Sequence, residues 1–373
     1  MISQEEIIDF FQKVGGNNAV TRQFCSSCYE LDKMDRTIPY TTKSIHRSGN
    51  RYFRCYGCGT FARTPHPVYP FSCIRCGELF KENRMYSCPL PNQVSVVIGC
   101  RTKLGHQVTL KLLRAGSIVI GTSRYPQQTY ELFKGYEDSQ EWLHRLEIYD
   151  KGLDLDNSNL KSLFEEFKRF IENKHESVTN VIFCAAQTIR VREKQRDEVK
   201  SSTQETNRYG DAKFVKSEFT NTWCMNIYDI CQEEMEELMR INAIAPALFF
   251  QTMIPLMKKS KTAPYFITVH AREGNFSISK NDKHIHTNMA KAALHMLTRC
   301  LPEAKLMTDN GIPFSIHGCD PGWISVDEYY EKNRPWIVPP IDEVDGAARI
   351  LYPIFRKLPS TRPTRKHFNS LLF

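Results

Sequence analysis

Residues 94–126 read VSVVIGCRTKLGHQVTLKLLRAGSIVIGTSRYP, and this stretch decides the fold. Residues 94–98 form an apolar run of strand length, and a second apolar run covers residues 118–120. Between them, regularly spaced apolar residues indicate a helix that ends at Ala115-Gly116. This order of strand, turn, helix and strand predicts the first unit of a parallel sheet that binds a dinucleotide.

The turn of this unit carries two glycines and is followed by an arginine. Gly99 and Gly105 flank the turn, where glycine lets the backbone approach a pyrophosphate at the positive end of a helix. Arg124 follows the second strand, and an arginine there suits the 2′-phosphate of NADP, whereas a carboxylate suits NAD. The middle glycine of the usual G-x-x-x-G-x-G spacing is replaced by Lys103. An ordinary βαβ unit without a nucleotide therefore stays open.

Length and composition set broad bounds. The 373 residues predict two or three domains, and no apolar run approaches the roughly 20 residues that span a bilayer. The N-terminal residues have neither the basic start and apolar core of a secretory signal nor the arginines of a mitochondrial presequence. We therefore expect an intracellular protein in a reducing compartment, with cytoplasm or nucleus favoured, mitochondria left open and no membrane partner. The net charge of +8 is only a weak indication of nucleic-acid binding.

Seven of the 13 cysteines lie between residues 25 and 88, mostly as C-x-x-C pairs, which predicts zinc binding rather than disulfides. The first predicted site is a zinc ribbon with the ligands Cys25, Cys28, Cys55 and Cys58. The second predicted site uses Cys73, Cys76, Cys88 and, as the nearest fourth ligand, His66, with His46 a weaker candidate. Cross-braced pairing, in which alternate pairs share an ion, stays open, as does a buried thiol at Cys88. Closed four-cysteine sites predict a structural role.

Aromatic and basic residues surround these cysteines and allow two interpretations. They are Arg51, Tyr52, Phe53, Arg54, Tyr56 and Arg75. They could contact nucleic acid by stacking and charge, or the aromatic rings could form the core of a small domain, which we favour.

Strands alternate with helices through the rest of the chain, which predicts an α/β fold with a doubly wound, Rossmann-like parallel sheet. The predicted strands are 94–98, 118–120, 146–149, 178–183, 265–269 and 314–317, and the predicted helices include 130–142, 160–171, 233–248 and 290–299. We expect a zinc-binding module over 1–93, a Rossmann domain over 94–355 and a basic tail over 356–373. Residues 89–92 are predicted to be a linker and 189–220 a polar insertion.

The order of motifs over about 94–355 resembles the short-chain dehydrogenase/reductase family. Asp154-Leu155 matches the acidic pair near the adenine, and residues 183–186 stand where the family has Asn-Asn-Ala-Gly. Asn242 begins an Asn-x-x-x-Pro motif, and Pro321-Gly322 matches the Pro-Gly after the sixth strand. The stretches AAQT, NAIAP, HTNMAKAAL and DEVDGAARIL are similar to a divergent eukaryotic branch with a cysteine-rich start. The cofactor positions that the resemblance implies are Gly99, Arg101, Lys103, Leu104, Gly105, Arg124, Asp154, Leu155, Ala185, Ala186, Lys291, Pro321 and Gly322.

The same resemblance shows what is missing from the catalytic positions. Lys291 and Asn242 are retained, but Thr287 occupies the position of the tyrosine proton donor and His270 that of the serine. An aliphatic hydroxyl is a far poorer acid than a phenol, and loss of a positioned acid costs about 10²–10⁴-fold in rate. We therefore expect a pseudoenzyme, with NADP either bound or lost, that acts as a scaffold or subunit of a larger assembly through its zinc module.

Two alternatives remain. The first is an active NADP-dependent oxidoreductase in which His270 donates the proton, or in which Thr287 relays one from His286 or His284. The second is nucleic-acid binding as the main role. The resemblance also implies a homodimer that pairs through the helix containing Lys291.

Overall fold

The computed structural model describes residues 52–187, 223, 225–324 and 338–360. The predicted ligands Cys25 and Cys28, the insertion at 189–220 and the tail beyond residue 360 lie outside the described residues.

A six-stranded parallel sheet forms the centre of the molecule, and a short hairpin precedes it. The hairpin strands are β1 (Phe53–Arg54) and β2 (Phe61–Ala62). The sheet strands are β3 (Val94–Ile98), β4 (Ile118–Thr122), β5 (Leu146–Ile148), β6 (Asn180–Phe183), β7 (Tyr265–Val269) and β8 (Ser315–Cys319). Their order is β5-β4-β3-β6-β7-β8, and every pairing is parallel. The predicted doubly wound α/β fold is confirmed, and its topological switch point lies between β3 and β6, where such sheets bind ligands.

Helices connect the strands and cover both faces of the sheet. They are α1 (Ile74–Met85), α2 (Lys103–Arg114), α3 (Pro126–Lys134), α4 (Ser139–Trp142), α5 (Leu160–Glu172), α6 (Gln232–Met239), α7 (Ala245–Lys258), α8 (Ile285–Cys300) and α9 (Glu343–Phe355). A π-helical turn, Arg240–Ile244, joins α6 to α7 without a break. Among the described residues, no helix is both long and apolar enough to cross a membrane.

The apolar side chains explain why the helices lie on these faces. Val96 and Ile98 of β3 pack with Phe164 and Phe167 of α5 and with Phe249 of α7. The side chains on the opposite face of β3 pack against α2 and α9. All five residues of β3 are buried because helices cover both faces of the sheet, as is usual for parallel strands.

The long helix predicted to begin at 233–248 is present, contains the π-helical turn and continues to Lys258. Two other local predictions were wrong. The predicted helix at 130–142 is interrupted at Gly135, so that α3 and α4 are separate. Residues 89–92 are not a free linker, because Leu90 is buried in the core and its N–H donates to the carbonyl of Ala115.

Helix α1, which follows the hairpin, packs against α9 of the sheet domain. The Tyr69 hydroxyl donates to Asp345 Oδ1 at 2.8 Å, and the Arg84 guanidinium lies 3.3 Å from the same carboxylate. Arg349 of α9 lies over the ring of Phe80, 5.1 Å from its centroid. These contacts fix the hairpin and α1 on the outer face of α9.

Candidate functional site

The glycine turn after β3 forms the centre of the candidate cofactor site. Gly99 has φ +84°, and a Cβ there would lie 2.9 Å from Cα of Ala185 in the loop after β6. A Cβ on Gly105 would overlap the carbonyl oxygen of Gly99. Both positions therefore require glycine, one for its backbone angle and both for close approach. The turn brings the N-terminus of the 12-residue helix α2 to the switch point of the sheet.

Lys103, at the start of α2, stands where the G-x-x-x-G-x-G spacing has its middle glycine. It has φ +48°, a left-handed angle that favours glycine, and its side chain is exposed. A lysine in this backbone conformation costs roughly 1–2 kcal/mol. An ammonium group is placed at the helix end where anions bind.

Two arginines meet one tyrosine beside this turn. Arg101 lies over the Tyr125 ring with its guanidinium carbon 5.0 Å from the centroid, and Arg124 lies 5.8 Å from the same centroid. All three residues are half-buried at the carboxyl ends of β3 and β4. Tyr125 was not predicted from the sequence, although an aromatic residue next to Arg124 was the available signal. Two positive charges close together favour an anionic group.

The remaining predicted cofactor positions lie along the same sheet edge. The N–H of Ala185 donates to the carbonyl of Ile98 at 2.8 Å, and Ala186 follows it on the surface. Leu155 is buried, while Asp154 Oδ1 accepts from the N–H of Asp156 at 3.1 Å. These loops lie together because the strands are parallel, so their carboxyl ends meet at one edge.

Leu104 and the Pro321-Gly322 pair lie against helix α9. A Cβ on Gly346 of α9 would lie 2.5 Å from Leu104 Cδ2 and 3.4 Å from Pro321 Cβ. Gly322 has φ +82°, and its N–H donates to Asp320 Oδ1 at 2.9 Å. This loop follows β8 and ends at the same edge of the sheet as the glycine turn.

Lys291 is buried at that edge, with 4% of its surface exposed. Its Nζ donates to the carbonyl oxygen of Val269, at the end of β7, at 3.0 Å. Burial lowers the Lys291 pKa to about 8, although the nearby carboxylates of Glu273 and Asp320 oppose this shift. A lysine in this state gives up its proton more readily than a solvated one.

Asn242 holds the main chain after β6. Its Nδ2 donates to the carbonyl of Gln187 at 2.8 Å, and its Oδ1 accepts from the Gln187 N–H at 3.1 Å. It lies in the π-helical turn, a feature that often occurs at functional sites. The Gln187 side chain donates to the buried carboxylate of Glu237 at 2.7 Å, a contact that no local sequence pattern indicated.

His270 does not take the position of a proton donor. Its Nε2 lies 2.9 Å from the hydroxyls of both Thr268 and Thr298, and its ring stacks on His295 with centroids 4.1 Å apart. Burial lowers the His270 pKa well below its ordinary value, helped by the charge of nearby Lys291, so the ring is neutral. The geometry therefore does not favour His270 as the acid, because its Nε2 is held by two threonines in the packing between sheet and helix.

Thr287 and His286 open the helix that carries Lys291, and both are buried. Within the described part of the chain, Thr287 Oγ1 and His286 Nδ1 have no hydrogen-bond partner. His284 has φ +42° just before the helix, and its ring stacks on Trp223 at 4.1 Å between centroids. The structure thus brings Thr287 and Lys291 onto one helix, four residues apart.

A second candidate site lies in the hairpin and the start of α1. The sulfur atoms of Cys55, Cys58, Cys73 and Cys76 all lie within 4.8 Å of one another, and Cys58 Sγ is 4.0 Å from Cys73 Sγ. Sulfur atoms around a tetrahedral zinc ion at about 2.3 Å from each would be roughly 3.8 Å apart, so the set fits this metal. The N–H of Cys73 donates to Cys55 Sγ at 3.2 Å, a bond that favours a thiolate.

This grouping differs from the pairing that the sequence spacing favoured. Cys55 and Cys58 lie with Cys73 and Cys76, whereas Cys25 and Cys28 lie outside the described residues.

The other two predicted ligands are not part of this group. His66 Nδ1 accepts from the N–H groups of Val68 and Tyr69, and His66 Nε2 lies 3.0 Å from Glu78 Oε1, so both ring nitrogens are occupied. Cys88 packs with the core beside α2 and directs its sulfur at the carbonyl of Pro89, 3.8 Å away. The Cys88 thiol is only partly buried, so the alternative of a buried thiol stays a prediction.

The cysteine cluster is close-packed and touches the candidate cofactor edge. A Cβ on Gly57 would lie 2.9 Å from Cys76 Sγ, so only glycine lets the hairpin turn close over this sulfur. Tyr56, between Cys55 and Gly57, accepts a hydrogen bond at its hydroxyl from the N–H of Trp323 at 2.8 Å. The cluster is thereby linked to the loop that follows Pro321-Gly322.

Comparison with known proteins gives one sequence relative and many structural ones. No family model matches the chain. Uncharacterized protein R665 of Acanthamoeba polyphaga mimivirus is 36% identical over 338 residues, which are 81% of this chain and 71% of that protein. This identity and coverage are sufficient to define a family.

Solved structures of short-chain dehydrogenases share the fold. One from Shigella flexneri superposes with a TM-score of 0.54 at 15% identity, covering 74% of this chain and 92% of that one. One from Salmonella enterica serovar Typhi gives 0.53 at 14% identity, covering 74% and 94%. A protein of Escherichia coli CFT073, assigned as a short-chain dehydrogenase and solved with NADPH, gives 0.52 at 14% identity, covering 73% and 92%. At these identities the likeness concerns the fold.

Proposed function

We propose that this chain, which belongs to the family of uncharacterized protein R665 of Acanthamoeba polyphaga mimivirus, binds NADP. It has the fold of the short-chain dehydrogenases, and we propose further that it lacks their ordinary hydride transfer. The observation that carries this proposal is the buried Thr287, four residues before the buried Lys291, in a fold whose Gly99 and Gly105 allow a close backbone approach. Binding and catalysis are thereby separated: the elements that hold a dinucleotide are present, and the phenol that supplies the proton is replaced.

The residues at the sheet edge fit the cofactor in size and charge. Gly99, Gly105 and the N-terminus of α2 offer a close backbone approach for a pyrophosphate. Arg101 and Arg124 place two guanidinium groups where a 2′-phosphate would be recognised. The complex of the Escherichia coli protein with NADPH supports the choice of cofactor. A bound NADPH would supply a hydride, which is useful only beside a proton donor.

Neither predicted replacement is suited to donate that proton. Thr287 has an aliphatic hydroxyl, and His270 is neutral and bonded to Thr268 and Thr298. An active enzyme that uses His270 is therefore the less favoured function.

The test is a fluorescence titration of NADPH and NADH on wild-type protein, on Arg124→Ala and on Arg63→Ala as a matched arginine control on the hairpin. We expect saturable NADPH binding that weakens about ten- to hundredfold in Arg124→Ala, since a charge-assisted hydrogen bond contributes about 1.5–3 kcal/mol. Arg124→Ala should change NADH binding little, and Arg63→Ala should change NADPH binding little.

A parallel assay with a panel of aldehydes and ketones should show no steady oxidation of NADPH. Failure of NADPH to bind at millimolar concentration would overturn the binding proposal. Turnover that His270→Ala abolishes would instead establish the alternative.

We further propose that Cys55, Cys58, Cys73 and Cys76 hold one zinc ion with a structural role. Four thiolates leave no open coordination position, and two of them lie at the start of helix α1, whose dipole favours negative charge. Membership of the cysteine-rich branch that the sequence resembles remains a prediction, and zinc bound to the purified protein would support it.

Zinc content per chain tests this assignment. We expect Cys73→Ser to lose one equivalent and the exposed Cys231→Ser to lose none. A second equivalent that Cys25→Ser removes would support a further site that uses Cys25 and Cys28. Equal zinc content in Cys73→Ser and wild type would contradict the four-cysteine site.

We also propose that the chain assembles with itself through α7 and α8, as the resemblance implies. A surface groove there is lined by apolar side chains, namely Met239, Ala243, Ile244, Ala247, Leu248, Ala293, Met296, Leu297 and Cys300. We expect Ile244→Glu to convert a dimer into a monomer in analytical ultracentrifugation, whereas Leu132→Glu, at an exposed leucine of α3, should not. A monomeric wild type would contradict this assembly. A role as the subunit of a larger assembly would then require other proteins as partners.

A further inference from the structure

The outward face of the β1–β2 hairpin carries aromatic and basic side chains that the cofactor and zinc proposals do not use. In its register Phe53 is opposite Ala62, and Arg54 is opposite Phe61. Because neighbouring strand residues point to opposite sides, Arg54 and Phe61 share one face and Phe53 faces the other. Exposure agrees, since Phe53 is 8% exposed and Phe61 is 73% exposed.

A second aromatic–arginine pair continues this face. Tyr52 and Arg63 lie two positions from Arg54 and Phe61 along their strands, and both are exposed. The Arg63 guanidinium carbon is 4.6 Å from the Tyr52 ring centroid, and its Nη2 donates to the Tyr52 hydroxyl. Arg54 is fixed by a bond from its Nε to the carbonyl of Gly59 at 3.2 Å. Two exposed rings and two arginines therefore form one surface, which we call the hairpin face.

The stretch of sequence that contains the hairpin carries formal charge of one sign. From residue 36 to residue 77 the sequence contains no aspartate or glutamate, and its basic residues are Arg36, Lys43, Arg47, Arg51, Arg54, Arg63 and Arg75. The chain as a whole carries 42 acidic residues among 373, so a stretch of this length without any is a marked local bias. On the hairpin face itself the described arginines are Arg54 and Arg63, both exposed, and they favour an anionic partner.

We propose that the hairpin face binds single-stranded nucleic acid. Exposed rings beside arginines match the stacking platforms on which unpaired bases lie, while the arginines follow the phosphates. An acidic peptide would satisfy the charge but would leave the flat rings without a partner. A duplex buries its bases in its own stack, so it cannot use the rings.

The cysteine cluster gives this face its shape. Cys55 and Cys58 lie in the turn that joins the two strands, and the N–H of Cys55 donates to the carbonyl of Thr60 at 2.8 Å. Metal at the cluster would fix the turn and hold the arginines and rings in register. Phe61 and Arg54 do not belong to the glycine turn, so variants on the hairpin face test nucleic-acid binding separately from NADP binding.

The test is fluorescence anisotropy of labelled oligouridylate and oligothymidylate of 20 nucleotides on the zinc-loaded full chain. We expect binding to both, with affinity that falls steeply as salt rises from 50 to 200 mM. Phe61→Ala should weaken binding about five- to hundredfold, the range expected for loss of one stacked base. Phe61→Trp should retain affinity because it keeps a ring.

Matched controls separate stacking from general charge. Phe276→Ala removes another exposed phenylalanine, 89% exposed, outside the hairpin and should have no effect. Arg124→Ala should affect NADPH and not the oligonucleotide, so failure of one proposal is distinguished from failure of the other. Preference for the RNA over the DNA oligomer would indicate recognition of the 2′-hydroxyl.

Three outcomes would overturn this proposal. They are no binding at 50 mM salt, equal affinity in Phe61→Ala and wild type, or equal competition by heparin and by single strands at matched charge. The last would mean that charge alone acts there and that an acidic partner is the better occupant.

Discussion

The Tyr56 hydroxyl accepts a hydrogen bond from the backbone N–H of Trp323, with 2.8 Å between oxygen and nitrogen. Tyr56 stands between two residues of the cysteine cluster, and Trp323 follows the Pro321-Gly322 turn at the edge of the sheet. A Cβ on Gly322 would lie 2.6 Å from the Tyr56 hydroxyl, so glycine is also required for the approach. The cysteine cluster and the loop after β8 are thus in direct contact.

Replacing Tyr56 tests whether this contact positions the loop. Tyr56→Phe keeps the ring, which Arg349 contacts, and removes only the hydroxyl. We expect unchanged zinc content, a loss of about 0.5–1.5 kcal/mol in the free energy of unfolding, and weaker NADPH binding by a few-fold. Thermal unfolding and the NADPH titration measure these effects.

Tyr52→Phe is the matched control, because the Tyr52 hydroxyl bonds to Arg63 on the hairpin face. If both variants behave alike, the contact with Trp323 has no role in positioning.

The sheet could be predicted from the sequence, whereas contacts between side chains distant in the chain could not. Runs such as 94–98 and 265–269 are mostly apolar because both sides of a parallel strand are covered, and such runs are visible without any tertiary information. Strand order then follows from the right-handed crossover connections of this fold class. The glycine turn was identified for the same reason, since its spacing is local.

The cysteine grouping and the orientation of His270 depended on contacts between distant residues. A C-x-x-C pair specifies two ligands but not its partner pair, which is decided here by the way α1 folds back on the hairpin. His270 follows β7 as expected, yet the hydroxyl of Thr298, 28 residues later, draws its Nε2 into the packing. Leu90 looked like part of a linker because two prolines flank it, and only the core shows it to be buried.

Lys103 offers a test in which the usual order of stability of alanine and glycine variants should be reversed. In a helix, alanine is ordinarily more stable than glycine by about 1 kcal/mol. Because Lys103 has φ +48°, we expect Lys103→Gly to be more stable than Lys103→Ala. At Lys161, an exposed residue of α5, the usual order should hold. Urea unfolding of the four variants measures this, and the same order at both positions would contradict the left-handed backbone at Lys103.

His270 should stay neutral across the physiological range. Burial lowers its pKa well below the ordinary value, so as pH falls below about 6.5 the unfolded chain binds a proton that the folded chain does not. Stability should therefore fall as the pH decreases, and His270→Asn should reduce that dependence. Urea unfolding between pH 5 and 8 measures it, with the exposed His144→Asn as control. An imidazole NMR signal of His270 that titrates near pH 6.5 would contradict the buried geometry.

Lys291 should affect the pH dependence of the free energy of unfolding at alkaline pH. Burial lowers its pKa from 10.5 to about 8, so between these values the unfolded chain binds more protons than the folded one. The free energy of unfolding of the wild type should therefore rise relative to that of Lys291→Met as pH increases from 8 to 10.5, and the difference should be flat below pH 8. The full change should be no more than roughly 3 kcal/mol.

Urea unfolding of wild type and Lys291→Met at pH 7, 8, 9 and 10 measures this change, and Lys161→Met controls for a solvated lysine. Parallel curves for wild type and Lys291→Met would mean that the ammonium group reaches solvent, and its assignment as a buried group beside the carbonyl of Val269 would then be wrong.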